Sequence, residues 1–176
     1  MTERAVVGGG CFWCIEAAYK QLDGVEDVTS GYAGGTTADP SYQEVCTGKT
    51  GHAEVVEIRY NKEQLSYRDI LDLLFRIHDP TTEDRQGPDR GSQYRSIILP
   101  VNEEQQQEAH TYIEERQDDF EDRIVTEVTM LDQFHPAAEE HQNYFEKHPY
   151  DAYCTMHARP KVETAQQFDR DREAER

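Results

Sequence analysis

Gly8-Gly9-Gly10-Cys11-Phe12-Trp13-Cys14 follows a short apolar run, Ala5-Val6-Val7, and opens a helical pattern. That succession predicts a buried strand over 4–8 turning sharply into a helix over 11–22, because glycine lets the backbone turn tightly and approach a neighbour closely. Cys11 falls at the first turn of the helix. Unpaired N–H groups and the macrodipole favour negative charge there, so its thiol is expected to ionise readily and act as a nucleophile. Cys14 lies three residues on, about one turn away on a neighbouring face. A buried cysteine pair, or half of a zinc site, is the plainer reading of the same stretch.

Working outward, Phe12, Ile15, Tyr19 and Leu22 share one arc of the helical wheel with Ala18 and the two cysteines. Trp13 falls off that arc among Glu16, Ala17 and Lys20, where it serves either a site or the capping of another element. Val25 to Tyr32 reads as a strand. Ser41 is placed to cap a short helix from Tyr42 to Thr47. His52 to Tyr60 is the clearest strand, with Glu54, Val56, Ile58 and Tyr60 on one face and Ala53, Val55, Glu57 and Arg59 on the other. Ser66 starts a helix with Asp69 at capping-box distance and Ile70, Leu71, Leu74 and Phe75 as its apolar face.

Residues 78–93 form a loop too long to be a mere connection. Strands are expected from Tyr94 to Val101 and from Val125 to Leu131. A polar helix is expected from Asn102 to about Asp119, and an amphipathic one from Ala137 to Lys147. From Pro149 the chain reads as irregular, and the charged 163–176 as frayed or solvated helix. Strands and helices interleave without a repeat or a linker. The expectation is therefore one catalytic domain over 1–176, α/β or α+β with a single mixed sheet. Its core spans about 4–148, and its irregular tail, about 149–176, carries Cys154.

The formal net charge is −18 over 176 residues, and lysine is confined to five positions, Lys20, Lys49, Lys62, Lys147 and Lys161. Such a surface repels nucleic acid and anionic membranes. Periodic segments with ample Tyr and Phe argue for a folded domain in an acidic coat suited to high salt, not for disorder. No apolar run reaches membrane-spanning length and the first residues carry no signal-peptide core, so a cytoplasmic location is expected. Four cysteines there suggest thiol chemistry over structural disulfides.

Glu54 sits on an otherwise apolar strand face. Desolvation would raise its pKa and keep it a proton donor; the plainer reading is a strand-end carboxylate reaching solvent or an arginine. Tyr42 and Tyr94 flank irregular segments, and their hydroxyls could donate to an oxygen on which charge develops, or simply be satisfied in the core. Asp89, in Gly87-Pro88-Asp89-Arg90-Gly91, is by default a turn residue. Seven histidines are scattered, no second Cys-x-x-Cys exists, and His135-Pro-Ala-Ala-Glu-Glu-His141 matches neither standard zinc-protease spacing. No metal site is expected.

Together the motifs resemble the A-type peptide methionine sulfoxide reductases over residues 5 to about 162. The landmarks are Gly10-Cys11-Phe12-Trp13, Gly31-Tyr32-Ala33-Gly34-Gly35, Asp39-Pro40-Ser41-Tyr42 and Thr50-Gly51-His52-Ala53-Glu54. They continue with His78-Asp79-Pro80-Thr81, Arg85-Gln86-Gly87-Pro88-Asp89-Arg90-Gly91 and Ser92-Gln93-Tyr94-Arg95-Ser96. The resemblance implies a two-layer α/β sandwich, an α+β arrangement with a ferredoxin-like core around a mixed sheet. It implies that Cys11, as thiolate, attacks the sulfur of a methionine S-sulfoxide, free or in proteins, while Glu54 protonates the oxygen. Tyr42 and Tyr94 would hydrogen-bond that oxygen, Phe12 and Trp13 would form the pocket for the methyl group, and Asp89 would help anchor the substrate backbone. No metal or organic cofactor is implied. The sulfenic acid left on Cys11 would condense with a second thiol, and thioredoxin would reduce the resulting disulfide.

The resemblance leaves the second thiol open. Some members resolve through the cysteine of Cys-Phe-Trp-Cys, here Cys14, and others through a C-terminal Tyr-Cys pair, here Tyr153-Cys154. A relay through both is conceivable. Cys46 reads as a packed bystander. Ala138 stands where the family usually carries an acidic residue, so the helix expected there is given no catalytic role. The competing readings are a general dithiol–disulfide oxidoreductase built on Cys11 and Cys14, for which Glu54 would be dispensable, and a non-enzymatic metal or redox-sensing module. A monomer is expected.

Overall fold

The computed structural model describes residues 1–175. Its frame is a six-stranded mixed sheet. In chain order the elements are β1 (Thr2–Gly8), α1 (Phe12–Tyr19), β2 (Val25–Ala33), α2 (Tyr42–Cys46), β3 (Ala53–Asn61) and α3 (Tyr67–Ile77). A two-residue hairpin, β4 (Arg85–Gln86) and β5 (Asp89–Arg90), is followed by β6 (Ile97–Ile98), α4 (Glu103–Arg116), β7 (Glu127–Val128), β8 (His135–Pro136), α5 (Tyr144–Lys147) and α6 (Arg159–Ala174). The sheet order is β7-β6-β1-β3-β2-β8, parallel only between β6 and β7. This is the α+β arrangement expected from the interleaved pattern.

The central strand β3 explains the division of the core. Val56, Ile58 and Tyr60 face the helix-covered side, where they join Ile15, Tyr19, Ile70, Leu74 and Phe168 in the main cluster. Ala53 and Val55 face the opposite side, packed with Val6, Ile97 and Leu99 under Leu131 and Phe134. Glu57, on that second face, is taken up by Arg4 at 2.6 Å. Glu54 shares the helix-covered face and is therefore buried among apolar groups. Ser41 and Ser66 both close capping boxes, with Glu44 and Asp69 respectively, so α2 and α3 begin where the sequence placed them.

Five expectations change. The strands expected over 94–101 and 125–131 contract to two residues each. In the first, Ser92–Tyr94 is coiled into a 3-10 turn and Pro100, with no N–H to donate, stands just beyond β6. The helix expected over 137–147 is broken. Gln142 spends its side chain on the N–H and C=O of Ser30 and on the C=O of Ala137, and Asn143 turns left-handed at φ 56°. Only a 3-10 turn over Glu139–His141 and the short α5 remain.

The tail is irregular only briefly after Pro149. It coils through a π-turn at Cys154–Ala158 into α6, which buries Val162, Ala165 and Phe168 against the body. Its charged residues mask that apolar spacing in the sequence. Cys46 is exposed, not packed, because α2 turns Val45 inward instead.

Candidate active site

The turn from β1 into α1 is built for close approach. A side chain at position 9 would meet the ring of His78 at 2.5 Å, and Gly10 has φ +92°. The N–H of Gly10 donates to the carbonyl of Tyr94 at 3.1 Å, which ties the end of the long loop to the residue before Cys11. His78 is locked beneath the turn. Its Nδ1 contacts the Leu74 carbonyl at 2.5 Å and its Nε2 the Ser96 hydroxyl at 2.7 Å, and burial lowers its pKa to about 4.

Cys11 is the N-cap of α1 and 8% exposed. Burial opposes the ready ionisation expected at this helix start. Burial pushes the Cys11 thiol well above its ordinary value, and the hydrogen bond with Cys14 and the nearby Glu54 push in the same direction. Its partner Cys14 shifts the other way, lowered chiefly by that same hydrogen bond, with Lys161 and Tyr153 assisting. The two buried thiols are thus electrostatically linked across the first turn of α1. Cys154 is fully buried, with its thiol raised to about 11 by burial and by the charges of Asp151 and Cys14.

Glu54 is 1% exposed. Its Oε1 accepts the main-chain N–H of Phe12 at 3.1 Å, while Oε2 is buried without a partner. Burial raises its pKa to about 8; the Phe12 bond opposes the rise, and the charges of Asp89 and Cys14 add to it. The carboxyl therefore holds its proton at neutral pH. The hydroxyls of Tyr42 and Tyr94 are pushed up by burial and then by Glu54, so both remain protonated donors beside the carboxyl.

Phe12 and Trp13 belong to an aromatic cluster. Phe12 lies 5.5 Å from Tyr32 and 6.3 Å from Tyr42, ring centre to ring centre. Trp13 stacks on Tyr144 at 3.7 Å and meets Tyr153 edge-on at 6.1 Å. His141 stacks on Tyr42 at 4.4 Å and lies 5.9 Å from both Phe12 and Trp13. Asp89 accepts a short hydrogen bond from the Tyr153 hydroxyl.

The structure thereby brings Cys11, Cys14, Glu54, Tyr42, Tyr94, Phe12, Trp13, Asp89 and Cys154 into one region. His141, Tyr144, Tyr153 and Tyr32 join them, and the sequence reading had not placed any of these in the site. The signal that could have found His141 and Tyr144 was the off-arc Trp13, which needed an aromatic partner. Cys11 opens on a cavity of about 600 Å³ that also touches Asp89, Tyr153 and Lys161. Tyr32, Tyr42 and His141 border another of about 400 Å³. Among the described residues no group of three or more His, Cys, Asp or Glu is placed to hold a metal ion. None of the described helices is long and apolar enough to cross a membrane.

A pair of neighbouring thiols beside a buried, proton-bearing carboxyl and an aromatic cluster suits reduction of an oxidised, weakly polar sulfur group. The comparisons agree. The family model described as peptide methionine sulfoxide reductase matches residues 3–173. Peptide methionine sulfoxide reductase MsrA of Natronomonas pharaonis is 57% identical over 169 residues, covering 95% of each chain. The reduced form of Mxr1 from Saccharomyces cerevisiae superposes with a TM-score of 0.84 at 35% identity, covering 89% of this chain and 91% of that one. Mxr1 in complex with Trx2 matches with a TM-score of 0.60 at 28% identity, over 81% of this chain and 84% of that one.

Proposed function

Because the chain belongs to the peptide methionine sulfoxide reductase family and reduces methionine sulfoxide to methionine, we propose that Cys11 carries the reduction and Glu54 supplies the proton. The observation that carries this reading is the buried, proton-bearing Glu54 bonded to the N–H of the residue after Cys11. Oxide is a poor leaving group, so nucleophilic attack at sulfur needs its oxygen protonated as the S–O bond weakens.

Glu54 donates to the sulfoxide oxygen, and the Tyr42 and Tyr94 hydroxyls hydrogen-bond it. Phe12 and Trp13, with His141 and Tyr144 beside them, receive the methyl group of the S epimer, and Asp89 lies where the substrate backbone would pass. The Cys11 sulfur attacks the sulfoxide sulfur as its thiol proton is lost, and that proton restores the Glu54 carboxyl once Glu54 has protonated the oxygen. The oxygen passes to Cys11, the substrate sulfur gains the electron pair, and thioether and sulfenic acid result. Cys14, on the next turn of the same helix, then attacks the sulfenic sulfur; the Cys11–Cys14 disulfide forms and water leaves. Cys154, on the π-turn that packs against α1, then exchanges with Cys14 to present a Cys14–Cys154 disulfide. Since Mxr1 is captured with Trx2, a thioredoxin-like dithiol is the reductant proposed here.

The test is single turnover with a methionine sulfoxide peptide in the Cys14→Ser, Cys154→Ser double variant. One methionine per enzyme and a dimedone adduct on Cys11 are expected. Reduction of insulin disulfides without any sulfoxide turnover would overturn the reading in favour of a general dithiol oxidoreductase.

A further inference from the structure

Glu16 is a buried charged residue that the chemistry at Cys11 does not use. It lies one turn after Trp13 on the same face of α1 and is 2% exposed. Its Oε2 accepts the main-chain N–H of Asn143 at 2.8 Å, and its Oε1 accepts the same N–H at 3.2 Å and the Ser30 hydroxyl at 2.9 Å. Lys20 stands 3.4 Å from Oε2.

The N–H it holds is not an ordinary one. Asn143 has φ 56°, a left-handed conformation that asparagine adopts more readily than most residues and that turns the chain here. His141 precedes it by two residues and Tyr144 follows it directly. His141 stacks on Tyr42, and Tyr144 lies nearly parallel to Trp13 at an interplanar angle of 7°. Gln142 anchors the same segment to Ser30 on β2, so the loop is tied to the sheet by one side chain and to the Cys11 helix by another.

We propose that Glu16 is a positioning residue for the substrate pocket: by gripping the Asn143 N–H from the Cys11 helix, it sets the left-handed turn that lays Tyr144 on Trp13 and His141 on Tyr42. A carboxylate suits this task because it accepts from two donors at once and strengthens each bond by its charge. The inference rests on the reading that the box around Phe12 and Trp13 receives the substrate methyl group.

Trp13 is the only tryptophan, so the emission of the substrate-free protein reports its stack on Tyr144. Glu16→Ala is expected to change that emission and to raise KM for a methionine sulfoxide peptide by about ten-fold. The single-turnover rate at saturation should stay within about three-fold, because the Phe12 to Glu54 bond does not pass through the loop. Glu16→Gln keeps one acceptor oxygen and should fall between Glu16→Ala and the parent on both readouts; it decides the matter by itself if Glu16→Ala does not fold. Unchanged emission and KM, or a rate at saturation that collapses at constant emission, would overturn the proposal. An emission change at unaltered KM would instead leave the grip of Glu16 on the turn standing and overturn the assignment of the box to substrate.

Discussion

The main-chain N–H of Phe12 donates to Oε1 of Glu54 at 3.1 Å, although the two residues are 42 apart in the chain. This one bond fixes the carboxyl of β3 against the start of the helix that carries Cys11, and it leaves Oε2 free to serve a bound oxygen.

Glu54→Gln keeps an oxygen to accept the Phe12 N–H but cannot give a proton at Oε2. The burst of methionine in single turnover is expected to slow by about 100-fold to 10,000-fold, the usual weight of a positioned general acid. The rate should also decline above about pH 8 in the parent protein as Glu54 ionises, and that decline should be missing from the variant. Alkylation of Cys11 by iodoacetamide in the variant checks that the thiol is still in place.

The same carboxyl destabilises the fold at neutral pH. Its folded pKa of about 8 lies above the ordinary 4.5, so between those values the folded chain holds a proton that the unfolded chain lacks. Stability therefore falls as pH rises through that window. At about 1.36 kcal/mol per pH unit the loss is on the order of 3 kcal/mol at pH 7. Glu54→Gln removes the titrating group, so its gain in melting temperature over the parent should grow from pH 5 to pH 8. A constant difference across that range would contradict the burial argument.

Much of this site was legible because its residues lie on strongly patterned elements. Glu54 interrupts an apolar strand face, and Cys11 ends a glycine turn, so their places in the fold could be read locally. The loop over 137–147 was not legible. Its spacing is that of a helix, and what breaks it is long-range: the hydrogen bonds that Gln142 makes to Ser30 and the left-handed turn at Asn143. The upward push on the Cys11 thiol is hidden from the sequence for a related reason. The helix N-terminus is visible in the sequence, but the burial that outweighs it is not. In α6 the seam of Val162, Ala165 and Phe168 was hidden among charged neighbours.

The acidic coat predicts a salt-dependent fold. Between Glu103 and Asp122 acidic residues crowd α4 and the turn after it, and Glu108 has its pKa raised by burial and by the charge of Glu104. The Debye length shortens from about 10 Å at 0.1 M salt to about 3 Å at 1 M, so added salt should relieve this repulsion. Melting temperature is expected to climb steadily with potassium chloride over that range. A flat profile would mean that the charges are spaced widely enough not to strain the fold.

The order of the thiols is open to direct mapping. Cys11 and Cys14 stand on the first turn of one helix, whereas Cys154 is fully buried under its own helical turn. After one turnover without reductant, quenching at early times should trap Cys11–Cys14, and later times Cys14–Cys154. Cys154→Ser should stop at Cys11–Cys14 and release methionine at the parental burst rate, but recycle more slowly with thioredoxin, because the remaining disulfide lies under α6 and Tyr153. Cys14→Ser should accumulate the Cys11 sulfenic acid, since reaching Cys154 directly would require the π-turn to unwind. Rapid formation of Cys11–Cys154 in that variant would reverse the order and show that the tail, not the α1 dithiol, resolves the first intermediate.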